Sequence, residues 1–161
     1  MGKVKSLTEL RRIVAAEKAK GKTVVLANGC FDLFHVGHIR YLRAAKAKGD
    51  VLIVALNSDA SVRKLKGKGR PILPQRERAD ILAAFSFVDY VTAFDEPMVT
   101  KVLLALKPDF HVKGSDYSRE TVPERDTVKS YGGRVAIVGG PKIRNTSQII
   151  RDIAAKMRTE V

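Results

Sequence analysis

The chain has 161 residues, 45% of them hydrophobic, enough to bury one sizeable core and to suggest a single domain over residues 1–161. Thirty Lys and Arg against 17 Asp and Glu give a formal charge of +13, and such a surface attracts polyanions. One cysteine excludes an internal disulfide and a thiolate zinc cluster, and 6% aromatics without tryptophan argue against a base-stacking surface.

Ser6 followed three residues later by Glu9 reads as a capping box, and Leu7, Leu10, Ile13 and Val14 share one face, so a leading helix is expected over 6–20, ended by Gly21. Its job is packing. Val24-Val25-Leu26-Ala27 reads as a buried strand that runs through Asn28-Gly29-Cys30-Phe31-Asp32-Leu33-Phe34-His35-Val36-Gly37-His38 into a helix ending at Lys48, with Gly49 as its stop. The unbroken apolar run 51–56 predicts a strand buried on both faces of a parallel sheet. It ends in Asn57-Ser58-Asp59.

The stretch 63–71, rich in glycine and positive charge, reads either as a mobile basic loop that meets an anion or as a solvated connection. A helix follows Pro74, with Ile81, Leu82 and Phe85 inward, and a third strand covers 88–94. Residues 99–106 are helical up to the residues before Pro108, and 110–113 form a short fourth strand. A helix over 124–131 is closed by Gly132-Gly133, a fifth strand covers 134–138, and a last helix starts near Asn145-Thr146-Ser147 with Ile149, Ile150 and Ile153 inward.

Strands and helices alternate throughout, so the fold class is α/β: a doubly wound three-layer α/β/α sandwich on a five-stranded parallel sheet of order 3-2-1-4-5. The polar stretches 28–38, 57–59, 113–117 and 142–147 all follow strands at their carboxyl ends. Ligands of open α/β sheets bind there, at the switch point between strands one and four, where two helix starts can turn unpaired N–H groups towards phosphate oxygens. His35 and His38 stand at the first of these starts, and Gly37 between them lets an anion approach the backbone. The pair reads as a phosphate-handling site. Asn57-Ser58-Asp59 is equally readable as a turn with an Asx cap, His111 as a packed mid-strand residue, and Cys30 as a small buried residue beside the turn.

Gly29-Cys30-Phe31-Asp32 with His35-Val36-Gly37-His38 resembles the HxGH signature of the nucleotidyltransferase superfamily, whose members share a Rossmann-like fold. Together with 54–59, Leu65-Lys66-Gly67, Arg70-Pro71 and Val112-Lys113-Gly114-Ser115-Asp116-Tyr117, the resemblance is strongest to the adenylyltransferase domains of bacterial ADP-heptose synthases, and it covers nearly the whole chain. It implies that His35 and His38 stabilise charge on a departing pyrophosphate. Lys46 resembles a phosphate-contacting lysine, though on an amphipathic helix it can equally be solvated. Gly29, Cys30, Phe31, Asp32, Gly37, Lys113 and Gly114 would line the nucleotide site, with Asp116 and Tyr117 at ribose or base and Thr146 and Ser147 at the departing phosphates. Arg144-Asn145 departs from the Ile or Arg followed by Ser of relatives; Asn145 can still cap the helix, and Arg144 would add a cationic phosphate contact. Asn57, Asp59, Lys66, Arg70 and Arg78 would lie at the acceptor, Arg78 having a helix salt bridge as its simpler role.

The reaction implied by the resemblance joins ATP and D-glycero-β-D-manno-heptose 1-phosphate into ADP-heptose, with release of pyrophosphate. Mg²⁺ would accompany ATP, and no residue cluster is assigned to a metal. A separate heptose kinase would supply the substrate, and a homo-oligomer is expected from relatives. No apolar run reaches membrane-spanning length and 1–6 lacks an apolar signal core, so a cytoplasmic protein with no membrane or nucleic-acid partner is expected. Two alternatives stand beside this reading. One is a cytidylyltransferase acting on glycerol 3-phosphate or a similar phosphorylated alcohol, and the other is a basic nucleic-acid-binding module.

Overall fold

The computed structural model describes residues 2–141 and 144–158. In chain order the elements are α1 (Leu7–Ala19), β1 (Val24–Gly29), α2 (Val36–Lys46), β2 (Val51–Asn57), α3 (Asp59–Lys66), α4 (Gln75–Ala84), β3 (Tyr90–Phe94), α5 (Thr100–Leu106), β4 (Phe110–Lys113), α6 (Arg125–Ser130), β5 (Arg134–Ile137) and α7 (Thr146–Arg158). The strands form one sheet in the order β3-β2-β1-β4-β5, as the alternation of elements predicts. All four pairings are parallel, with Val24 opposite Val51 and Val25 opposite Phe110 on the two sides of β1.

Period-two alternation divides the strand side chains between two cores. On one face Val25, Ala27, Leu52, Val54, Leu56 and Val112 pack against Leu42 and Ala45 of α2 and Leu82 of α4. On the other face Val24, Leu26, Ile53 and Ala55 pack against Leu10 and Val14 of α1, Leu103 and Leu106 of α5, and Val128 of α6. The central strands are buried on both sides, which is why β2 carries no polar residue before Asn57. At α1 the expected capping box is present: the Ser6 side chain accepts from the Glu9 N–H, and the Glu9 carboxylate accepts from the Ser6 N–H at 2.8 Å.

Two expectations need correction. The stretch 63–71 is not a loop throughout, because its first four residues belong to α3. Ser58 caps this helix by accepting from the Ser61 N–H, and Val62 anchors it in the interior, so the connection shrinks to 67–74. The inward face assigned to the last helix is also shallower than expected: α7 buries no residue, Ile149 and Ile150 are half-buried, and Ile153 is 50% exposed. Residues 142 and 143 of the polar stretch 142–147 lie outside the described residues.

Arg78 is the largest fully buried side chain. Its Nε donates to Leu73 O at 2.9 Å, Nη1 to Cys30 O and to Asn57 O at 2.9 Å, and Nη2 to Asp59 Oδ1 at 2.7 Å. The guanidinium ties the ends of β1 and β2 to the start of α3, so the fully buried Arg78 serves the scaffold, while its partner Asp59 stays about a third exposed, outside the main cleft. His111 is likewise fully buried in β4, as expected of a packed residue, with Nε2 3.1 Å from Asn28 Oδ1. Burial, followed by the nearby charge of Lys113, pushes its pKa down to about 3.

Replacing Arg78 with Met strands one carboxylate and three carbonyls without their donor, and losing one partner of a buried pair costs about 3 kcal/mol or more. The thermal midpoint should fall by roughly 10 °C, whereas a change of a few tenths of a degree would contradict the tie. A histidine held neutral when folded contributes stability that is complete above its ordinary pKa of about 6.5 and is lost as pH falls towards 3. Urea unfolding across that window should therefore lose up to about 1.4 kcal/mol per pH unit from this group, with a flatter slope in His111→Gln.

Candidate active site

At the carboxyl ends of the strands, where β1 leads to α2 on one face and β4 to α6 on the other, lies an open cleft of about 870 Å³. Gly29, Cys30, Phe31 and Asp32 form its floor after β1, and His35, Gly37 and His38 one wall. Asn57, Lys66 and Arg70 enter from the β2 side, while Lys113, Gly114, Asp116 and Tyr117 follow β4. Arg144, Thr146 and Ser147 close it at the start of α7. The structure therefore brings together the residues expected at the nucleotide site.

His35 is the N-cap of α2, its Nδ1 accepting from the Gly37 N–H at 3.1 Å and its carbonyl from the His38 N–H at 2.9 Å, so at this helix start the side chains, more than these N–H groups, face the cleft. The bond from Gly37 uses Nδ1 as the acceptor, so in the neutral ring Nε2 carries the hydrogen. One turn on, the His38 ring lies 3.9 Å from the His35 ring at 29°, with Phe31 and Phe34 packed against it. Burial among these rings, then the neighbouring His35, lower the His38 pKa to about 3 against a small opposing effect of Asp32. His38 is thus a neutral imidazole. A Cβ on Gly37 would stand 2.9 Å from the His35 ring, so glycine at this position lets the ring fold back over the helix start.

Behind the floor, the Asp32 carboxylate is only 1% exposed and accepts from Arg70 Nε at 2.6 Å, Ile72 N–H at 2.9 Å and Leu73 N–H at 3.0 Å. Burial opposes its ionisation, but the two backbone donors and Arg70 together hold its pKa below the usual value. Asp32 therefore pins the basic connection to the turn, and its carboxylate is not available to a nucleotide. Asn57 is similarly engaged, donating to Ser61 Oγ at 2.9 Å. Burial pushes the Cys30 thiol up, against partial relief from Lys66, Arg78 and Arg70, as expected of an inert residue.

Lys46 is a correction. It ends α2, eight residues and about 12 Å along the helix axis beyond His38, at the far edge of the sheet. There it pairs with Asp89 Oδ2 at 2.6 Å and donates to Asp50 O, and it does not line the cleft.

Several contributors were not anticipated. Tyr41 donates to Val112 O at 2.8 Å across the gap between α2 and β4, and burial raises its pKa far above the ordinary phenol. Gly139 and Gly140 turn in the left-handed region at φ +93° and +65°, and a Cβ on Gly139 would meet the Tyr41 backbone at 3.2 Å. The Gly-Gly pair after the fifth strand was the signal for this turn. Arg40, Glu124 and Arg151 also line the cleft. Asn145 caps α7 as expected, its Oδ1 accepting from the Gln148 N–H at 2.9 Å, and Arg144 lies 3.6 Å from Asp152. Among the described residues no cluster of His, Cys, Asp and Glu has the density to hold a metal ion.

This arrangement combines two helix starts, a stacked imidazole pair and several cations around a polar cleft, which suits a polyphosphate. Comparison with known proteins agrees with it. The chain is 53% identical over 151 residues to the Bifunctional protein HldE of Geobacter metallireducens and 52% identical to that of Geobacter sulfurreducens, each match covering 94% of this chain and 31% of the relative. The chain thus spans about a third of the length of the curated relatives it matches. Among solved structures, a lipopolysaccharide core biosynthesis protein from Thermoplasma volcanium superposes with a TM-score of 0.65 at 29% identity, over 77% of this chain and all of that one. Residues 26–155 match the Cytidylyltransferase-like family, and the chain belongs to it.

Proposed function

We propose that this chain transfers an adenylyl group from ATP to D-glycero-β-D-manno-heptose 1-phosphate, forming ADP-heptose and pyrophosphate. The observation that carries this reading is the stacked His35–His38 pair at the start of α2, facing an open cleft whose other end is the start of α7. The identity to proteins named HldE supports the sugar, and the motifs after β2 and β4 support it in preference to a small alcohol phosphate.

A sugar phosphate is already ionised at neutral pH, so its oxygen attacks the α-phosphorus without a general base. The bond from that phosphorus to the bridging oxygen breaks, and its electrons leave with pyrophosphate. Negative charge builds on the departing oxygens, where Nε2–H of His35 and the start of α7 are fixed in advance. The cleft cations align both anions, which removes much of the entropic cost of bringing them together. Mg²⁺ would enter with ATP as part of the substrate. A heptose kinase activity supplies the sugar 1-phosphate, in the cytoplasm, and the active protein is a homo-oligomer. No helix is long and apolar enough to cross a membrane.

The test is pyrophosphate release measured with ATP and CTP against heptose 1-phosphate, glycerol 3-phosphate and other phosphorylated acceptors. ATP with the sugar phosphate should be the best pair by a wide margin. CTP with glycerol 3-phosphate as best pair would replace this reading, and tight, steeply salt-dependent RNA binding without any turnover would end it. His35→Ala and His38→Ala should each lower kcat about 10²–10³-fold, the cost of one lost donor at a developing charge. Lys46→Met, by contrast, should keep kcat within about threefold and lose on the order of 1 kcal/mol of stability in urea, since it breaks only a half-exposed ion pair.

A further inference from the structure

Beside β4 the cleft wall holds a buried ion pair that the chemistry above does not use. Lys113, the last residue of β4, shares its sheet face with His111 and turns towards α6. Its side chain is 10% exposed, with Nζ 3.5 Å from Glu124 Oε2 and 5.3 Å from the centre of the Tyr117 ring. Glu124 is itself buried at 3% exposure and lines the cleft. It occupies the N-cap position of α6, yet its side chain makes no capping bond, and Oε2 has no hydrogen-bond partner among the described residues. A carboxylate here is directed at the lysine and not at its own helix.

Burying both charges is unfavourable unless something compensates, and removing the pair for an apolar contact would often stabilise a fold. Glu124 is the group that supports the charge of Lys113. His111 is neutral, Tyr41 is a protonated phenol donating to Val112 O, and Tyr117 presents its ring. Burial lowers the Lys113 pKa, and Glu124 is what opposes that fall. An ammonium has three N–H donors, and a single carboxylate at 3.5 Å leaves some of them for another anion.

We propose that Glu124 is a positioning residue for the transfer: its carboxylate holds the Lys113 ammonium beside the gap between β1 and β4, across the cleft from His35 and His38, to meet the phosphate oxygens. The proposal rests on the adenylyl-transfer reading given above. It makes Lys113 a phosphate contact whose charge and direction depend on an acid that never touches the substrate.

The test compares Glu124→Gln and Glu124→Asp with the parent chain. Pyrophosphate release is followed from pH 6 to 10 (about that range suffices to see a lysine titrate). In parallel, acetic anhydride labelling of Lys113 is read by mass spectrometry over the same range. Glu124→Gln keeps the volume and removes the charge, so kcat should fall about 10–100-fold as the ammonium loses its alignment. The lysine should also deprotonate sooner, moving both the basic limb of the rate profile and the labelling curve at least about one pH unit lower. Glu124→Asp should recover part of each. A drop in kcat with both curves unmoved would mean a merely structural role, and a shifted labelling curve with unchanged kcat would mean that Lys113 takes no part; either overturns the proposal. A parent chain that turns over while Glu124→Gln matches it defeats the proposal alone. A parent chain that releases pyrophosphate from no pair of substrates defeats the functional reading and the proposal together.

Discussion

The cleft has its shape because the strand ends of a parallel sheet, which lack a next turn of ladder, are closed by one buried cation and one buried anion. Arg78 gathers the carbonyls of Cys30, Asn57 and Leu73 and the carboxylate of Asp59. Asp32 gathers Arg70 and the N–H groups of Ile72 and Leu73. The two meet through adjacent residues of the same connection, Leu73 offering its carbonyl to one and its N–H to the other. A guanidinium taken wholly out of water is tolerated only when its donors are nearly all occupied, and here the four recorded bonds do that. The turn carrying the histidines is thereby held against the basic connection before any ligand arrives.

How much of this was legible in the sequence depended on whether burial leaves a periodic trace. The apolar runs 24–27 and 51–56 announce strands covered on both faces, and the His-Val-Gly-His spacing announces a helix start that must pass close to something. Charged residues leave no such trace. Arg78 sits in a helix with basic and acidic neighbours, so a cation awaiting a ligand and a cation committed to carbonyls look alike in sequence. Helix α3 was missed for a related reason: in DASVRKLK the anchoring apolar side chain is Val62, too little to show a 3.6-residue period. Lys46 could have been placed, since two turns separate it from His38 on a helix that runs away from the strand ends.

The positive charge of the chain acquires meaning from where the acids go. Asp89 pairs with Lys46, Asp109 with Lys18, Asp59 with Arg78 and Asp32 with Arg70, so several of the scarce carboxylates fix the scaffold. Around the cleft six cationic side chains face three carboxylates, with Asp32 paired to Arg70 and Glu124 to Lys113. The remaining field is positive and concentrated in a concave, partly dehydrated place, which draws anionic substrates faster than a uniformly basic surface would. Glu124 escaped the sequence reading because it lies in a polar stretch without periodicity, where an acid reads as solvated.

The imidazole pair shows why neutrality matters as much as charge in such a field. Two protonated rings 3.9 Å apart would repel each other and the cations around them, and burial against Phe31 and Phe34 keeps His38 unprotonated at neutral pH. Gly37 then fixes which nitrogen of His35 holds the hydrogen, by donating to Nδ1. The ring reaches the cleft as a directed donor, whose orientation is settled by a backbone bond and whose strength grows when phosphate displaces water from the site. A lysine in the same place would attract the triphosphate before and after transfer almost equally, whereas a donor placed for the departing oxygen favours the moment at which charge shifts onto it. The fold thus separates two tasks, gathering anions with the cations around the cleft and discriminating the transition state with groups fixed at the helix start.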